Sequence, residues 1–345
     1  VVDSPHVWCG CRVAGDGGKR GGWLRGEGSI AEEDSGAALY VGGYIQVSVV
    51  MGSLERWPRR GADVVLTHGE LRPGGSAGNC ALALEAMQIR HRAVANQGDD
   101  GLSAWLASHF PHSAAHWTRY HCETSLTVGV THSDHERSFL SNLGHIVRLT
   151  AEDVLNQLPL RASAGDIVLL CGTFLCLHLY DEYPLLLSEL QQRGYVTAVD
   201  TGWPSQGWTD EVRKQFSHWL PLCDWLLLNE VETLGLVNLA DVASCAQQLV
   251  QQLSGRGGCV VKSGAQGAAC WQQDQHTSQP ARAVTVVDTI GAGDSFNAGF
   301  LAALLHQQDI ATALQWGIAV ASLAISTLPR RYPDWHQLQL SAQER

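Results

Sequence analysis

The chain has 345 residues, of which 45% are hydrophobic and 17% charged, a composition that supports a globular core in one large α/β domain or two smaller ones. Its formal net charge of -11 argues against a nucleic-acid partner, since phosphate backbones are held by an excess of Lys and Arg. No apolar run reaches the roughly 20 residues of a membrane helix, and the N-terminus lacks the basic-then-apolar order of a secretory signal, so the expectation is a cytoplasmic protein with a small-molecule partner, no nucleic acid and no membrane.

Residues 1–36 are rich in Gly, charge and isolated Trp without a sustained period, and their composition implies a disordered tail. The run GDGGKRGG (Gly15 to Gly22) lacks both the G-x-x-x-x-G-K-[ST] order and a preceding strand, so it is no phosphate loop. The chain starts with Val, which fits processing, truncation or an appendage outside the functional domain. The ten cysteines are scattered through apolar surroundings, as Cys171 and Cys176 are, and read as buried thiols; Cys9 and Cys11 have no second pair to complete a zinc site. His109, His112, His116, His121, His132 and His135 share no repeated i, i+4 spacing and read as surface or loop residues.

Folded sequence begins near Ala37, where ALYVGGYIQVSVVM reads as a strand, a glycine break and a second β-rich segment. Residues 74–79, GGSAGN, form a Gly-rich turn before an apolar helix from Ala81 to Ile89. The Thr- and Val-rich stretch between Cys122 and Leu140 alternates around a polar S-D-H-E-R turn and predicts a β-hairpin. From Thr150 onward helices and strands alternate. A helix from Ala151 to Leu158 is capped by Thr150, with Asp153 three residues on; it is followed by a strand from Ile167 to Cys171 and a helix ending at Arg193 before Gly194. Strands at Val196–Val199, Trp225–Leu228 and Cys259–Lys262 follow, with a helix at Leu239–Leu253. Such short, continuously apolar strands predict a mainly parallel sheet covered by helices on both faces. Ligands then gather at the carboxyl ends of the strands, here Gly172, Asp200, Asn229, Ser263 with Gly264, and Asp288.

The stretch VTVVDTIGAGDSFNAGFL, residues 284–301, carries the chemistry. Val284, Val286 and Val287 predict a buried strand ended by Asp288 and Thr289, and Phe296, Phe300 and Leu304 repeat at helical spacing. The turn between them sits at a helix N-terminus, where Gly291, Ala292 and Gly293 can present amides to a phosphate with almost no side chain in the way. Asp294 beside it is placed to accept the proton of a hydroxyl that attacks the phosphoryl group, and the helix dipole is expected to keep its carboxylate ionised.

The run D-T-x-G-A-G-D-x-F-x-A-G-F from Asp288 to Phe300 closely resembles the C-terminal signature of the ribokinase-like, or PfkB, family of carbohydrate kinases. GGSAGN resembles the family's N-terminal G-G-x-x-x-N signature, and N-E-V-E from Asn229 to Glu232 its N-x-x-E motif. The resemblance covers roughly residues 37 to 330. It implies a ribokinase-like domain over 37–345, with a small β-lid built from segments near 44–72 and 120–146. It makes Asp294 the catalytic base and Gly291 to Gly293 the anion hole. It places Gln46, Ser48, Gly74, Gly75 and Asn79 against the acceptor, with Ser48 standing where the family has a sugar-binding Asp. Lys262, Ser263, Gly264 and Gly267 would lie beside the nucleotide, and Asn229 and Glu232 would place Mg²⁺ and phosphate through water. A helix from Ala311 to Ser326 would flank the adenine, with Ile318 where some relatives have a base-contacting Asn. The resemblance also admits a monovalent cation, K⁺, near Asp288, and a homodimer formed through the lid.

The resulting expectation is an ATP- and Mg²⁺-dependent kinase that moves the γ-phosphoryl group to a primary hydroxyl of a sugar. Two alternatives stay open. One is a nucleoside kinase of the same family, with Phe174, Trp203 or Trp208 as a wall for the base; the other is a non-catalytic sugar- or nucleotide-binding regulator. A nicotinamide oxidoreductase is disfavoured because no G-x-G-x-x-G follows the first strand.

Overall fold

Short strands set the frame, and those at Leu39–Gly43 and Ile167–Cys171 bury every residue. The computed structural model describes residues 36–133, 137–273 and 275–343. The N-terminal half contains β1 (Leu39–Gly43), β2 (Gln46–Leu54), β3 (His68–Gly74), α1 (Ser76–Ala86), β4 (His91–Val94), β5 (Asn96–Gln97), α2 (Gly101–Ala107), β6 (Thr118–Arg119), β7 (Leu126–His132) and β8 (Arg137–Asn142). There follow α3 (Ala151–Asn156), β9 (Ile167–Cys171), α4 (Leu177–Gln192), β10 (Val196–Asp200), α5 (Asp210–Ser217), β11 (Trp225–Asn229), α6 (Glu230–Val237), α7 (Val242–Val250) and β12 (Gly258–Lys262). The chain closes with β13 (Ala268–Gln272), β14 (Gln275–Gln279), α8 (Ala292–Leu305), α9 (Ile310–Ser326) and α10 (Trp335–Gln343).

The central sheet has eight strands in the order β14-β13-β12-β11-β10-β9-β1-β4. Pairing is parallel from β4 through β12 and antiparallel only at β13 and β14. Because side chains alternate across a strand, Leu169 belongs to the core that includes α1, α8 and α9 on one face, while Val168 and Leu170 belong to the core that includes α3, α4 and α7 on the other. Both faces are therefore apolar, as a parallel sheet between helical layers requires. The Thr150–Asp153 capping box at the start of α3 is formed as its sequence predicts.

A second sheet of four strands, in the order β3-β2-β7-β8, makes the lid. Register places Arg72, Ser48, Thr127 and Ser141 in one row across it, and Leu71, Val49, Val128 and Leu140 in the next row on the opposite face. The hairpin expected between Cys122 and Leu140 is β7 and β8.

Several expectations are corrected. Val284, Val286 and Val287 belong to no strand and are 39%, 55% and 45% exposed; the segment is tied instead to α9, where the amides of Val287 and Asp288 both donate to the Ile325 carbonyl. Helix α1 starts at Ser76, not Ala81, because Gly75 takes a positive φ of 86° and turns the chain directly into the helix. The helix expected from Leu239 begins at Val242, capped by Asp241. Helices α5 and α10 and the β13–β14 hairpin were not anticipated. Among the described cysteines none is in a disulfide, and all but Cys122 are buried. No group of three His, Cys, Asp or Glu among the described residues is arranged to hold a metal. The tail, Cys9, Cys11 and His135 lie outside the described residues.

Candidate active site

The turn before α8 is shaped by Gly291, which caps the helix in the left-handed region at φ 72° without any side-chain cap. A Cβ on Gly291 would lie 2.7 Å from Asn79 Nδ2, and with the positive φ this makes glycine the favoured residue. The Ala292 amide donates to the Thr289 carbonyl at 3.1 Å, which narrows the expected three-amide cradle: the amides left over at this helix start are those of Gly291 and Gly293.

Asp294 stands in the first turn of α8, and Asn79 Nδ2, from the first turn of α1, donates to its Oδ2 at 2.9 Å. The two glycine-rich motifs thus meet through one hydrogen bond. Burial, reinforced by the nearby Asp200 carboxylate, lifts the Asp294 carboxyl to about 7, against the pull of Asn79, Lys262 and Arg330. The expected ionising effect of the helix dipole is therefore outweighed by desolvation. Lys262 Nζ donates to Asp200 Oδ2 at 2.7 Å and to Asn297 Oδ1 at 3.1 Å. Burial would depress this amine, but Asp200, Glu232 and Asp294 together hold it above its ordinary value. Glu232, itself buried, is pushed up to about 7 by desolvation and by Asp200. Three carboxyl groups act on one ammonium, and a cation bound among them would favour their ionised forms.

Two cavities flank the turn, and no residue lines both. A cavity of about 260 Å³ lies under the lid, walled by Tyr44, Gln46, Ser48, Arg72, Asn79 and Phe139 and floored by Gly291 and Asp294. The other, of about 530 Å³, runs along Gly264, Gly267, Val284, Val286, Ile318 and Ala321, with Lys262, Ala292 and Gly293 at the turn. The first carries hydroxyls, amides, Arg72 and Asp294 among the apolar Val50, Phe139, Leu175 and Ile290, the second chiefly small and aliphatic side chains, so the two differ in what they can bind. The lid reaches the turn itself: a Cβ on Gly129 of β7 would lie 3.9 Å from Ile290 Cδ1.

The profile of the pfkB family carbohydrate kinases matches residues 48–334. The chain belongs to that family. Ribokinase of Haemophilus influenzae is 24% identical over 260 residues, which are 73% of this chain and 81% of that protein. Fructoselysine 6-kinase of Escherichia coli is 33% identical over 153 residues, 43% of this chain and 50% of its own. The match to 1-phosphofructokinase of Haloferax volcanii, 45% identical over 71 residues, spans only 21% of this chain and 23% of that relative. Among solved structures, Thermotoga maritima ribokinase superposes with a TM-score of 0.72 at 20% identity, covering 89% of this chain and all of its own. Arabidopsis thaliana ribokinase complexed with ribose and ATP gives 0.71 at 22% identity, covering 90% and 100%. At such identities these likenesses establish the ribokinase-like fold.

Within this pfkB-family fold, the residues singled out in the sequence fall into place unevenly. Gln46, Ser48, Gly75 and Asn79 line the smaller cavity, and Lys262, Gly264, Gly267 and Ile318 the larger. Gly74 lines neither and instead lets β3 pass the Ser48 hydroxyl without a Cβ in the way. Ser263 likewise stays outside, its amide bound to the Gly267 carbonyl at 2.8 Å. Asn229 and Glu232 cap each other: Asn229 Oδ1 accepts from the Glu232 amide at 2.8 Å, and Glu232 Oε2 from the Asn229 amide at 2.9 Å. The Asp288 carboxylate is taken by Arg72 at 2.8 Å and Arg330 at 3.0 Å. Phe174 and Trp203 each meet Trp208 edge-on, and none of the three lines either cavity. Arg72, Arg330, Tyr44 and Asn297 were not found by sequence reasoning. The only signal for Arg72 was its place, two residues before the Gly74–Gly75 pair.

Proposed function

We propose that the protein is an ATP-dependent sugar kinase that transfers the γ-phosphoryl group of ATP to a hydroxyl of a small carbohydrate. The observation that carries this reading is the turn itself, which lines both a cavity bearing hydroxyls, amides and two charged side chains and a second one of small and aliphatic side chains, and bears a carboxyl tuned to about 7. Adenine suits the aliphatic wall of the larger cavity, and Gly264 and Gly267 let the backbone come close to ribose and phosphates. The acceptor sits under the lid with its hydroxyl toward Asp294, which takes the proton as the hydroxyl attacks. The amides of Gly291 and Gly293, at the positive end of α8, stabilise charge on the transferring group. Lid closure by β2, β3, β7 and β8 keeps water from competing as acceptor.

The excess of carboxylates over Lys262 fits Mg²⁺, positioned through water by Asn229 and Glu232, since this ion keeps most of its hydration shell. Bound with the nucleotide, it would neutralise charge on the β- and γ-phosphates. The volume of about 260 Å³ falls just below the range of small-molecule sites, roughly 300–1,000 Å³, and favours a single sugar over a riboside with its base. Leu71 and Leu140, 46% and 57% exposed on the outer lid face, favour a homodimer that covers this row. No helix among the described residues is long and apolar enough to cross a membrane, and a cytoplasmic kinase would have ATP at hand.

The test is acceptor-dependent ADP release by the purified chain over ketoses, aldoses, sugar acids and ribosides. Turnover with at least one sugar is expected. Binding of ATP and sugar without ADP release would identify the non-catalytic regulator instead.

A further inference from the structure

Two charged side chains reach the smaller cavity, Asp294 and Arg72. Asp294 belongs to the chemistry. Arg72 does not, and its partners leave it with donors to spare. It lies on β3 directly opposite Ser48, with its side chain 12% exposed. Asp288 pairs with Nη2 at 2.8 Å, but Arg330 pairs with the same carboxylate oxygen at 3.0 Å. Glu70 is 3.9 Å from Nη1, beyond hydrogen-bond reach, and outside the cavity lining. Nη2 is closed to solvent and makes no well-formed hydrogen bond despite its ion pair. A guanidinium carries five donors in a rigid fork, and a buried one is costly unless those donors are met. Asp288 has independent support: the Ile290 amide donates to its Oδ1 at 2.9 Å and Arg330 remains on Oδ2. It would stay satisfied if Arg72 turned to another anion.

The rest of the polar lining is uncharged and partly engaged already. Thr127 and Ser141 share a hydrogen bond of 2.8 Å, Asn79 donates to Asp294, and Gln46 Oε1 accepts from Ser125 Oγ at 3.2 Å. A wholly neutral polyol would leave the spare donors of Arg72 facing hydroxyls, whereas an oxyanion offers the planar or forked acceptor that a guanidinium matches. We propose that the acceptor is an anionic sugar, bearing a carboxylate or a phosphate ester, and that Arg72 is the residue that selects it. This rests on the sugar-kinase reading given above.

Matched acceptors test it on the purified full chain. The set is fructose; 2-ketogluconate, in which the hydroxymethyl at C1 is a carboxylate; and fructose 6-phosphate. Glucose, gluconate and glucose 6-phosphate form a parallel aldose set. At least one anionic member should exceed its neutral parent in kcat/KM by about tenfold or more, the worth of one charge-assisted hydrogen bond; the carboxylate and phosphate arms tell which group is read. Arg72→Gln should bring that ratio to within about threefold of unity, on the same scale. Ser48→Asp, which sets a carboxylate across the strand pair from Arg72, should lower it as well. The wild-type chain alone also decides, through the shift in its melting temperature: anionic members should stabilise it more than their parents. Parents that serve as well as the anions, or a ratio that Arg72→Gln leaves unchanged, would overturn the proposal. No turnover with any member of either set, together with equal stabilisation by anions and parents, would overturn the proposal, while the kinase reading is decided by the wider acceptor panel above.

Discussion

Replacing Asp294 by Asn separates its chemical role from its structural one. The amide keeps the size of the carboxyl and an oxygen for Asn79 Nδ2, now 2.9 Å away, but it cannot take a proton. General-base catalysis is worth about 10²–10⁴ in rate, so kcat should fall by about that factor, while nucleotide affinity holds or improves as a negative charge leaves the turn. Stability should move the other way. The carboxyl titrates at about 7 against an ordinary 3.8, and at about 1.4 kcal/mol per pH unit this gap is worth on the order of 4 kcal/mol. The folded protein keeps its proton up to about pH 7, and the unfolded chain gives it up near pH 4, so wild-type stability falls as pH rises between these values. The whole penalty is in place at pH 8 and absent at low pH. Asn does not titrate. Asp294→Asn should therefore unfold at higher denaturant than wild type at pH 8, by up to that figure and less where water in the cavity screens the charge, with little difference near pH 4. Steady-state kinetics and paired urea melts at the two pH values read both effects. Turnover within about tenfold of wild type would refute the base assignment, and a variant less stable than wild type at pH 8 would refute the electrostatic account.

Glu232→Gln keeps an oxygen for the Asn229 amide, and so keeps the helix cap, while removing a charge beside Asp200 and Lys262. The Mg²⁺ concentration for half-maximal rate should rise more than the KM for sugar, and an unchanged magnesium curve would reduce the pair to its capping role. Acceptor and a nonhydrolysable nucleotide bound together should slow amide exchange in β7 and β8, the strands over the turn. Equal exchange with and without them would show that these strands do not close.

The parts of this protein legible in the sequence are those whose physics is local. In Asp288 to Phe300 a glycine turn, a helix start and a carboxylate follow one another in the chain, so the proposed anion site can be read from adjacent residues. The β9 sequence IVLLC buries every residue, and a continuous apolar run is itself the signature of a central parallel strand. What escaped depends on distant partners or thin patterns. Val284 and Val286 are as β-branched as any strand but serve as the wall of a cavity, and sequence alone does not separate the two uses of an apolar surface. Helix α5 buries only Val212 and Phe216, too few for a visible period. The polar β14, a strand at the sheet edge, has no buried residue to alternate with exposed ones. The acidity of Asp294 is set by burial and by Asp200, a residue from another strand, and Arg72 becomes notable only when the lid folds it over Asp288.

The wall between the two cavities also divides the chain's information. Leu175 apart, every residue around the smaller cavity comes either from positions 44–141 or from the turn at 290–294, and every residue around the larger one comes from positions 262–325. On the proposed assignment of the cavities, the choice of acceptor and the choice of phosphoryl donor are thus written in separate stretches of the gene product. A recombination event between residues 176 and 261 would carry the lid's half of the acceptor pocket intact onto another donor-binding half, provided the turn fits beneath it. Such a molecule can change what it phosphorylates without relearning how.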